Sequence, residues 1–157
     1  PCSGCAGSSG LQRRLPEPAR GRRTRPVKRC LAAVEFEPAL VLIAVAAKAF
    51  VLEDAQDLAV DVYEDFACVR DFSFCDQIKR AVVSISNNIA EGSERTTPAD
   101  FSRFLDIAKG SSGEVRSMYR LAVRLKFVKK AVADVRCDKC CSISRQLGGF
   151  AKFLRSK

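Results

Sequence analysis

The chain has 157 residues, which suggests one domain with a tail, and a hydrophobic share of 47% that is ample for a core. It contains no histidine and no tryptophan. Histidine is the commonest metal ligand and the commonest general base near neutral pH, so its absence argues against sites that depend on it.

The net charge of +9 is distributed unevenly along the chain. Residues 1–30 carry a net +7, residues 31–100 carry −8 and residues 101–157 carry +10. A basic beginning, an acidic middle and a basic C-terminal third favour both self-pairing and a polyanionic partner.

Residues 1–38 are predicted to form a disordered basic leader. Its first thirty residues are rich in Gly, Ser, Pro and Arg and show no hydrophobic periodicity. The basic run from Arg20 to Arg29 suits contact with RNA or an anionic membrane. The alternative is that the leader is no part of the functional domain.

Residues 39–51 form an apolar segment that contains the run ALVLIAVAA. A transmembrane helix needs about 20 apolar residues, so the run is too short to span a membrane. Glu35, Glu37 and Pro38 interrupt the approach that a signal peptide would have, although a signal peptide remains the alternative. We expect the segment to extend the first helix backward or to pack on the domain.

Four amphipathic helices are predicted over residues 52–155, at about 52–66, 74–91, 98–127 and 130–155. The acidic residues of helix one are expected on its exposed side. The apolar positions expected to face inward are Leu52, Ala55, Leu58, Ala59, Val62 and Phe66 in helix one; Ile78, Ala81, Val82, Ile85 and Ile89 in helix two; Phe101, Phe104, Ile107, Ala108, Val115, Met118, Ala122 and Leu125 in helix three; and Val132, Val135, Ile143, Leu147, Phe150 and Leu154 in helix four.

The link between helices two and three carries clear end signals. Gly92 can end helix two because glycine adopts left-handed backbone angles at little cost. Thr97 can cap helix three, with Pro98 in the first turn and Asp100 placed to complete the cap. Four helices with short links predict an all-α, antiparallel up-down-up-down four-helix bundle behind the leader.

The strings RAVVSISNNIAEG and FSRFLDIAKGSSGE, which lie between Arg80 and Glu114, resemble the bacterial four-helix bundle proteins of 23S rRNA intervening sequences. The resemblance extends from about Leu52 to Leu154. Ser86 and Asn87 depart from the family pattern, which usually has proline and then serine there.

The resemblance implies a cytoplasmic, homo-oligomeric protein, a pentamer in related members. One branch of the family is the accessory protein of diversity-generating retroelements, in which a basic barrel binds nucleic acid and the reverse transcriptase. RNA or DNA and a reverse transcriptase are therefore candidate partners of this chain, and no membrane partner is expected.

A basic row is predicted on helix three, opposite its apolar face. It consists of Lys109, Arg116, Arg120 and Arg124, and Lys126, Lys129 and Lys130 continue the positive charge beyond it. The row suits phosphate contacts, because each neutralised phosphate releases counterions. A solvated helix face and pairing with the acidic face of helix one in a neighbouring subunit are the alternatives.

The polar side of helix two holds Arg80, Ser84, Asn88 and Glu91, and Gly92 follows it. In an enzyme Glu91 would serve as a base, with Asn88 orienting a substrate. The structural interpretation is stronger, because these groups can hydrogen-bond across helices or fix a subunit contact. We expect no enzyme, since no P-loop, nucleophile elbow or buried carboxylate pair is present.

The remaining motifs favour structural roles. The small residues between Ala108 and Gly113 lie inside a helix, so we expect close helix packing there and not a phosphate loop. Two CxxC pairs, Cys2–Cys5 and Cys137–Cys140, are more than a hundred residues apart, and we expect reduced thiols without zinc. The sequence therefore predicts no cofactor and no metal. It favours a non-catalytic nucleic-acid-binding adaptor, with a protein–protein scaffold as the alternative.

Overall fold

The computed structural model describes the backbone of residues 38–156 and the side chains of residues 45–156. Four helices fill this range: α1 Pro38–Asp65, α2 Phe72–Ser93, α3 Pro98–Arg124 and α4 Lys130–Arg155. Each helix packs on the next and α1 also packs on α4, so α1 and α3 occupy opposite corners. The predicted four-helix bundle is confirmed, whereas nearly all of the predicted leader lies outside the described residues.

Helix α1 begins at Pro38, fourteen residues before Leu52, so it includes the apolar segment that was expected either to extend the first helix backward or to pack on the domain. Proline suits the first turn of a helix, and the apolar segment simply continues the helical backbone. Its described side chains are mostly exposed, with Val45 and Phe50 prominent among them. Among residues 38–156, no helix combines the length and the apolar character that a membrane span requires.

The core lies along the bundle axis and includes the whole predicted apolar stripe of α2. Ile78, Val82, Ile85 and Ile89 have no exposed surface, and Ala81 has 5%. At the end of the bundle that holds the α1–α2 and α3–α4 loops, four aromatic rings pack in tilted and edge-to-face pairs with centroids 5.3–5.7 Å apart: Phe66, Phe74, Tyr119 and Phe127. Such rings contribute both area and edge-to-face contacts, which closes this end against water.

The buried face of α3 is rotated around the helix axis from the face that the sequence pattern predicted. In α4, one position that was predicted to be buried is exposed. Ile107 and Leu125 were expected inside but are 51% and 46% exposed, and Val135 of α4 is 60% exposed. The inward face of α3 instead includes two serines, Ser102 and Ser112. Ser112 satisfies its hydroxyl by donating to the Cys140 carbonyl over 3.0 Å. Because these buried residues are polar, a hydrophobicity pattern does not identify the face on which they lie.

The link between α2 and α3 confirms one end signal and corrects the other. Thr97 caps α3: its hydroxyl accepts from the Asp100 N–H over 3.1 Å, and Pro98 occupies the first turn. Gly92, however, does not end α2, which continues to Ser93. Gly92 is buried, and a Cβ added to it would lie 2.6 Å from the Cβ of Phe104. This glycine therefore permits close packing of α3.

A polar seam joins α1 to α4. Gln146 donates to Asp54 over 2.8 Å, and Lys139 donates to Asp61 over 2.9 Å. Arg136 lies 2.9 Å from Asp65. The sequence placed all six acidic residues of helix one on an exposed side, but these three are partly buried against α4, which leaves Glu53, Asp57 and Glu64 exposed.

Candidate nucleic-acid interface

The basic row of α3 spans sixteen residues, so its ends are about 22 Å apart at 1.5 Å per residue. It comprises Lys109, Arg116, Arg120 and Arg124. Within the described residues, none of the four has a carboxylate oxygen within 4 Å, whereas six other cations do. No described carboxylate therefore neutralises this row through a direct ion pair.

Contacts to α4 show which side of α3 the row occupies. The Arg116 guanidinium donates to the Cys141 sulfur over 3.1 Å, and this hydrogen bond is the main cause that raises the pKa of Arg116. The Lys109 Nζ lies 3.5 Å from the position that a Cβ on Gly148 would take. The row thus borders the outer groove between α3 and α4. Lys109, Arg120 and Arg124 are exposed, but Arg116 is half-buried and held by a sulfur atom.

Helical spacing places two further cations of α4 on the side that faces the row, and sequence reasoning missed both. Arg145 follows Cys141, which Arg116 contacts, by four residues, and Lys152 follows Gly148, which lies near Lys109, by four. Both side chains are exposed. The spacing 141, 145, 148, 152 was visible in the sequence, but its register against α3 was not.

The three lysines beyond α3 lie at or near its loop to α4. Lys126 adopts a left-handed backbone angle, with φ of 61°. Lys129 is the N-terminal cap residue of α4 and makes no side-chain capping bond. Lys130 pairs with Asp134 over 2.6 Å. Lys129 and Lys130 lie at the positive end of the α4 dipole, where cations are unfavourable, and Asp134 offsets the charge of Lys130.

The helix-two motif is divided among three local roles. The Ser84 hydroxyl lies 3.0 Å from that of Ser111 on α3, and Asn88 donates to the Ser84 carbonyl over 2.7 Å. Arg80 pairs with Asp76 over 2.9 Å on the exposed side of α2. Glu91 accepts from Arg95 in another exposed pair. No described contact gives Glu91 the surroundings of a buried base.

An open cleft of about 510 Å³ lies on α1 and α2, lined by Tyr63, Lys79, Arg80, Asn87 and Asn88 among others. Lys79 lies 5.0 Å from the centre of the Tyr63 ring. Across the described part of the chain, no three Cys, Asp or Glu side chains are grouped so that they could hold a metal ion.

A family profile described as 23S rRNA-intervening sequence protein matches residues 47–149. The chain belongs to this family. A crystal structure from the S23 ribosomal protein family of Bacteroides thetaiotaomicron VPI-5482, a protein of unknown function, matches with a TM-score of 0.63 and 23% identity, and the match covers 68% of this chain and 98% of that one. That likeness concerns the fold alone. None of the curated proteins compared with the chain matches it.

The match to the 23S rRNA-intervening sequence protein family covers all seven basic residues selected from the sequence and also the helix-two motif. The first nine residues of α1, from Pro38 to Ala46, precede the matched range. Lys152 follows it. The basic groove therefore lies almost wholly within the part of the chain that defines the family.

Proposed function

We propose that this protein is a non-catalytic, homo-oligomeric adaptor that binds the backbone of RNA or DNA along the α3–α4 groove. The observation that carries the proposal is the row of four α3 cations without carboxylate partners in the described residues. Arg145 and Lys152 extend it across the groove. Charges placed in this way lose little by binding phosphate, because no internal ion pair has to break first.

The proposed recognition is of shape and charge and not of base sequence. Stacking on unpaired bases needs exposed aromatic rings beside the cations. Tyr119, which lies between Arg116 and Arg120 in sequence, is fully buried and donates its hydroxyl to Asp65 over 2.8 Å. Phosphate contacts alone fix the position of a nucleic acid without reading its sequence.

The remaining elements of the proposal come from the family resemblance. We propose a cytoplasmic homo-oligomer, by resemblance a pentamer, and a reverse transcriptase is the candidate protein partner. The exposed faces of α1 and α2 would supply the subunit contact. An oligomer would repeat the basic groove and so raise the effective concentration of binding sites along one nucleic acid.

The test is charge reversal of two exposed cations of the α3 row, Arg120→Glu with Arg124→Glu, in the full chain. Arg116 is a poorer choice because it also holds Cys141. Loss of two phosphate contacts should lower the salt slope by about 1.4–1.8, which is about 25- to 60-fold in affinity at 0.1 M salt. Reversal, as distinct from neutralisation, should add to that loss.

The matched control is Arg70→Glu with Arg103→Glu, which makes the same charge change at exposed cations away from the groove that also have no carboxylate oxygen within 4 Å in the described residues. Both proteins keep the basic leader, so its non-specific binding is common to the two. Titration of a structured RNA at 50–200 mM salt gives affinity and slope. Equal slopes for the two double variants would contradict the groove as the binding site.

The second candidate function is a protein–protein scaffold with no nucleic-acid role. Exposed apolar side chains lie on α1 and α3, at opposite corners of the bundle: Val60, Tyr63, Ile107, Leu121 and Leu125. The exposed apolar residues of α1 are on the same helix as exposed acidic residues. Those of α3 are on the same helix as the unpaired cations. Complementary faces on opposite sides of a subunit favour head-to-tail association.

The same charge-reversal variant separates the two functions. If the α3 cations pair with α1 acids of a neighbour, Arg120→Glu with Arg124→Glu should reduce the light-scattering mass of the protein. If they bind nucleic acid, the mass should stay unchanged while RNA affinity falls. A variant that keeps both its mass and its RNA affinity would exclude both roles for these residues.

A further inference from the structure

The cations of the α3 row are held at fixed spacings by one uninterrupted helix. Arg116, Arg120 and Arg124 follow one another at intervals of four residues, or about 6 Å along the axis, and Lys109 lies about 10.5 Å before Arg116. Arg116 is also held in place, because its guanidinium donates to the Cys141 sulfur over 3.1 Å. A ligand that meets all four cations must therefore present phosphates along a nearly straight path of about 22 Å.

The aromatic rings of α3 and α4 are buried or partly buried and pack against other residues of the bundle. Tyr119 is fully buried, Phe101 and Phe150 pair with centroids 5.2 Å apart, and Phe153 packs against the core. Among the described residues, the exposed rings lie on α1 and α2: Phe50, Tyr63 and Phe72. Proteins that hold single strands stack bases on exposed rings beside their cations. A single strand would therefore gain little more than its phosphate contacts here.

Gly113 leaves an open place within the row. It lies one turn after Lys109, inside the seven-residue interval that precedes Arg116. A Cβ added to Gly113 would meet no other helix and no side chain beyond its chain neighbours within 4 Å, so the close helix packing expected from the sequence does not explain this glycine. On α4, Gly148 lies near Lys109. The middle of the groove therefore has a low surface, which suits a broad and inflexible ligand.

We propose that the ligand of the α3–α4 groove is a double-stranded nucleic acid, in preference to a single strand. This inference rests on the proposed function, since it names the class of polymer that the groove binds. A duplex carries about one charge per 1.7 Å of its axis and is stiff over about 50 nm, far longer than the row. Its bases already stack on one another, so it needs no aromatic surface on the protein. A flexible single strand must first be ordered along the row, which costs affinity.

Counterion release gives the expected size of the preference. Six cations are available: the four of the α3 row, with Arg145 and Lys152 from α4. Six phosphate contacts predict a salt slope of about 5.4 on a duplex and about 4.2 on a single strand. For equal affinities at 1 M salt, that difference is about 16-fold in favour of the duplex at 0.1 M salt.

The experiment titrates the full chain into a labelled 20-base-pair RNA duplex and, separately, into each of its two unpaired strands at 50–200 mM salt. Fluorescence anisotropy gives affinities and slopes, and a DNA duplex of the same sequence shows whether the sugar matters. The basic leader contributes to binding in every case. The part due to the groove is measured with Arg120→Glu and Arg124→Glu, which should reduce the preference for the duplex by about 2.5-fold at 0.1 M salt.

A second variant tests the open place directly. Gly113→Gln puts an uncharged side chain between the cations and should hold a rigid duplex away from them. We expect a loss of duplex affinity of about eightfold at 0.1 M salt, equal to one phosphate contact, while a flexible strand passes around the side chain and loses less than about twofold. Gly110→Gln is the matched control, because its Cβ is equally free and lies about 100° around the helix from Lys109.

The possible results separate this inference from the proposed function. If the single strands bind as tightly as the duplex, or Gly113→Gln weakens both polymers equally, the preference for a duplex is overturned. The proposed function still stands in that case, provided that Arg120→Glu with Arg124→Glu weakens binding. If that charge reversal changes the binding of neither polymer, the proposed function itself fails, and this inference fails with it.

Discussion

Gly92 allows a sharp test of how α2 and α3 pack. The substitution Gly92→Ala adds one Cβ, which would lie 2.6 Å from the Phe104 Cβ and 2.7 Å from Cδ2 of Phe101. The ring of Phe101 can rotate, but the Cβ of Phe104 is fixed to the α3 backbone. Ordinary carbon contacts are about 3.5–4.0 Å, so α3 must move outward by about 1 Å.

Two opposing contributions determine the effect on stability. Overpacking of a close contact costs about 1–3 kcal/mol. Replacing a helical glycine by alanine returns about 1 kcal/mol through backbone entropy and propensity. Gly92 has an ordinary helical backbone and not a left-handed one, so alanine meets no backbone strain there. The net expectation is a loss of about 0–2 kcal/mol, most of it from displacement of α3.

Gly110→Ala is the matched control, because its added Cβ would meet no other helix and no side chain beyond its chain neighbours within 4 Å. It should stabilise the protein by about 0.5–1 kcal/mol. The free energy of unfolding is measured by urea titration with helical circular dichroism. Protein concentration is held equal, because association changes apparent stability. If Gly92→Ala stabilises the protein as much as Gly110→Ala, the close approach of α2 and α3 is refuted.

Three further predictions concern the cap, a buried thiol and the seam. Thr97→Ala removes the cap of α3 and should lower the free energy of unfolding, measured with urea, by about 1 kcal/mol. The control Thr96→Ala, at an exposed position, should be nearly neutral. Equal effects of the two substitutions would contradict the capping role of Thr97. Burial raises the pKa of Cys140 to about 12, above an ordinary thiol value of about 8.5. The unfolded thiol therefore ionises first, so stability should decline as pH rises from about 8.5 toward 12, and Cys140→Ala should show a shallower decline. Asp65→Asn removes the charged acceptor of a buried tyrosine hydroxyl and should cost about 1–3 kcal/mol by thermal or urea unfolding, against almost nothing for exposed Asp57→Asn.

The fold followed from the sequence because the signals of local structure and of burial agree along most of the chain. The stripe of α2 is uninterrupted from Ile78 to Ile89, and Thr97 with Pro98 marks a helix start by stereochemistry alone. The buried face of α3 was harder to predict, because the polar Ser112 is buried with a hydrogen bond to the Cys140 carbonyl. Ile107 is apolar but exposed, so its hydrophobicity wrongly indicated a core position.

Only the part of the candidate site that lies on α3 could be predicted from the sequence. A row on one helix follows from spacing, so the α3 cations were found. The α4 residues of the site depend on how α4 is aligned against α3. Residue spacing within one helix does not show that alignment, and Arg145 was missed for that reason. The role of Arg116 changed for the same reason, since only the packed structure brings it to Cys141. Gly92 was misassigned because glycine permits both a helix end and a close approach.

The polar seam between α1 and α4 has a consequence for the uniqueness of the packing. Its pairs, Asp54 with Gln146, Asp61 with Lys139 and Asp65 with Arg136, follow one antiparallel alignment. If α1 slid along α4 by one turn, its many Ala, Leu and Val side chains would still find apolar neighbours. A slide by one turn in either direction would place an apolar residue, Phe50 or Leu58, opposite Gln146, so the hydrogen bond to Asp54 would be lost. The carboxylate pairs discriminate less between alignments, because Asp61 and Asp65 lie one turn apart and Arg136 already contacts both. The seam therefore favours the observed alignment of α1 chiefly through Asp54 and Gln146.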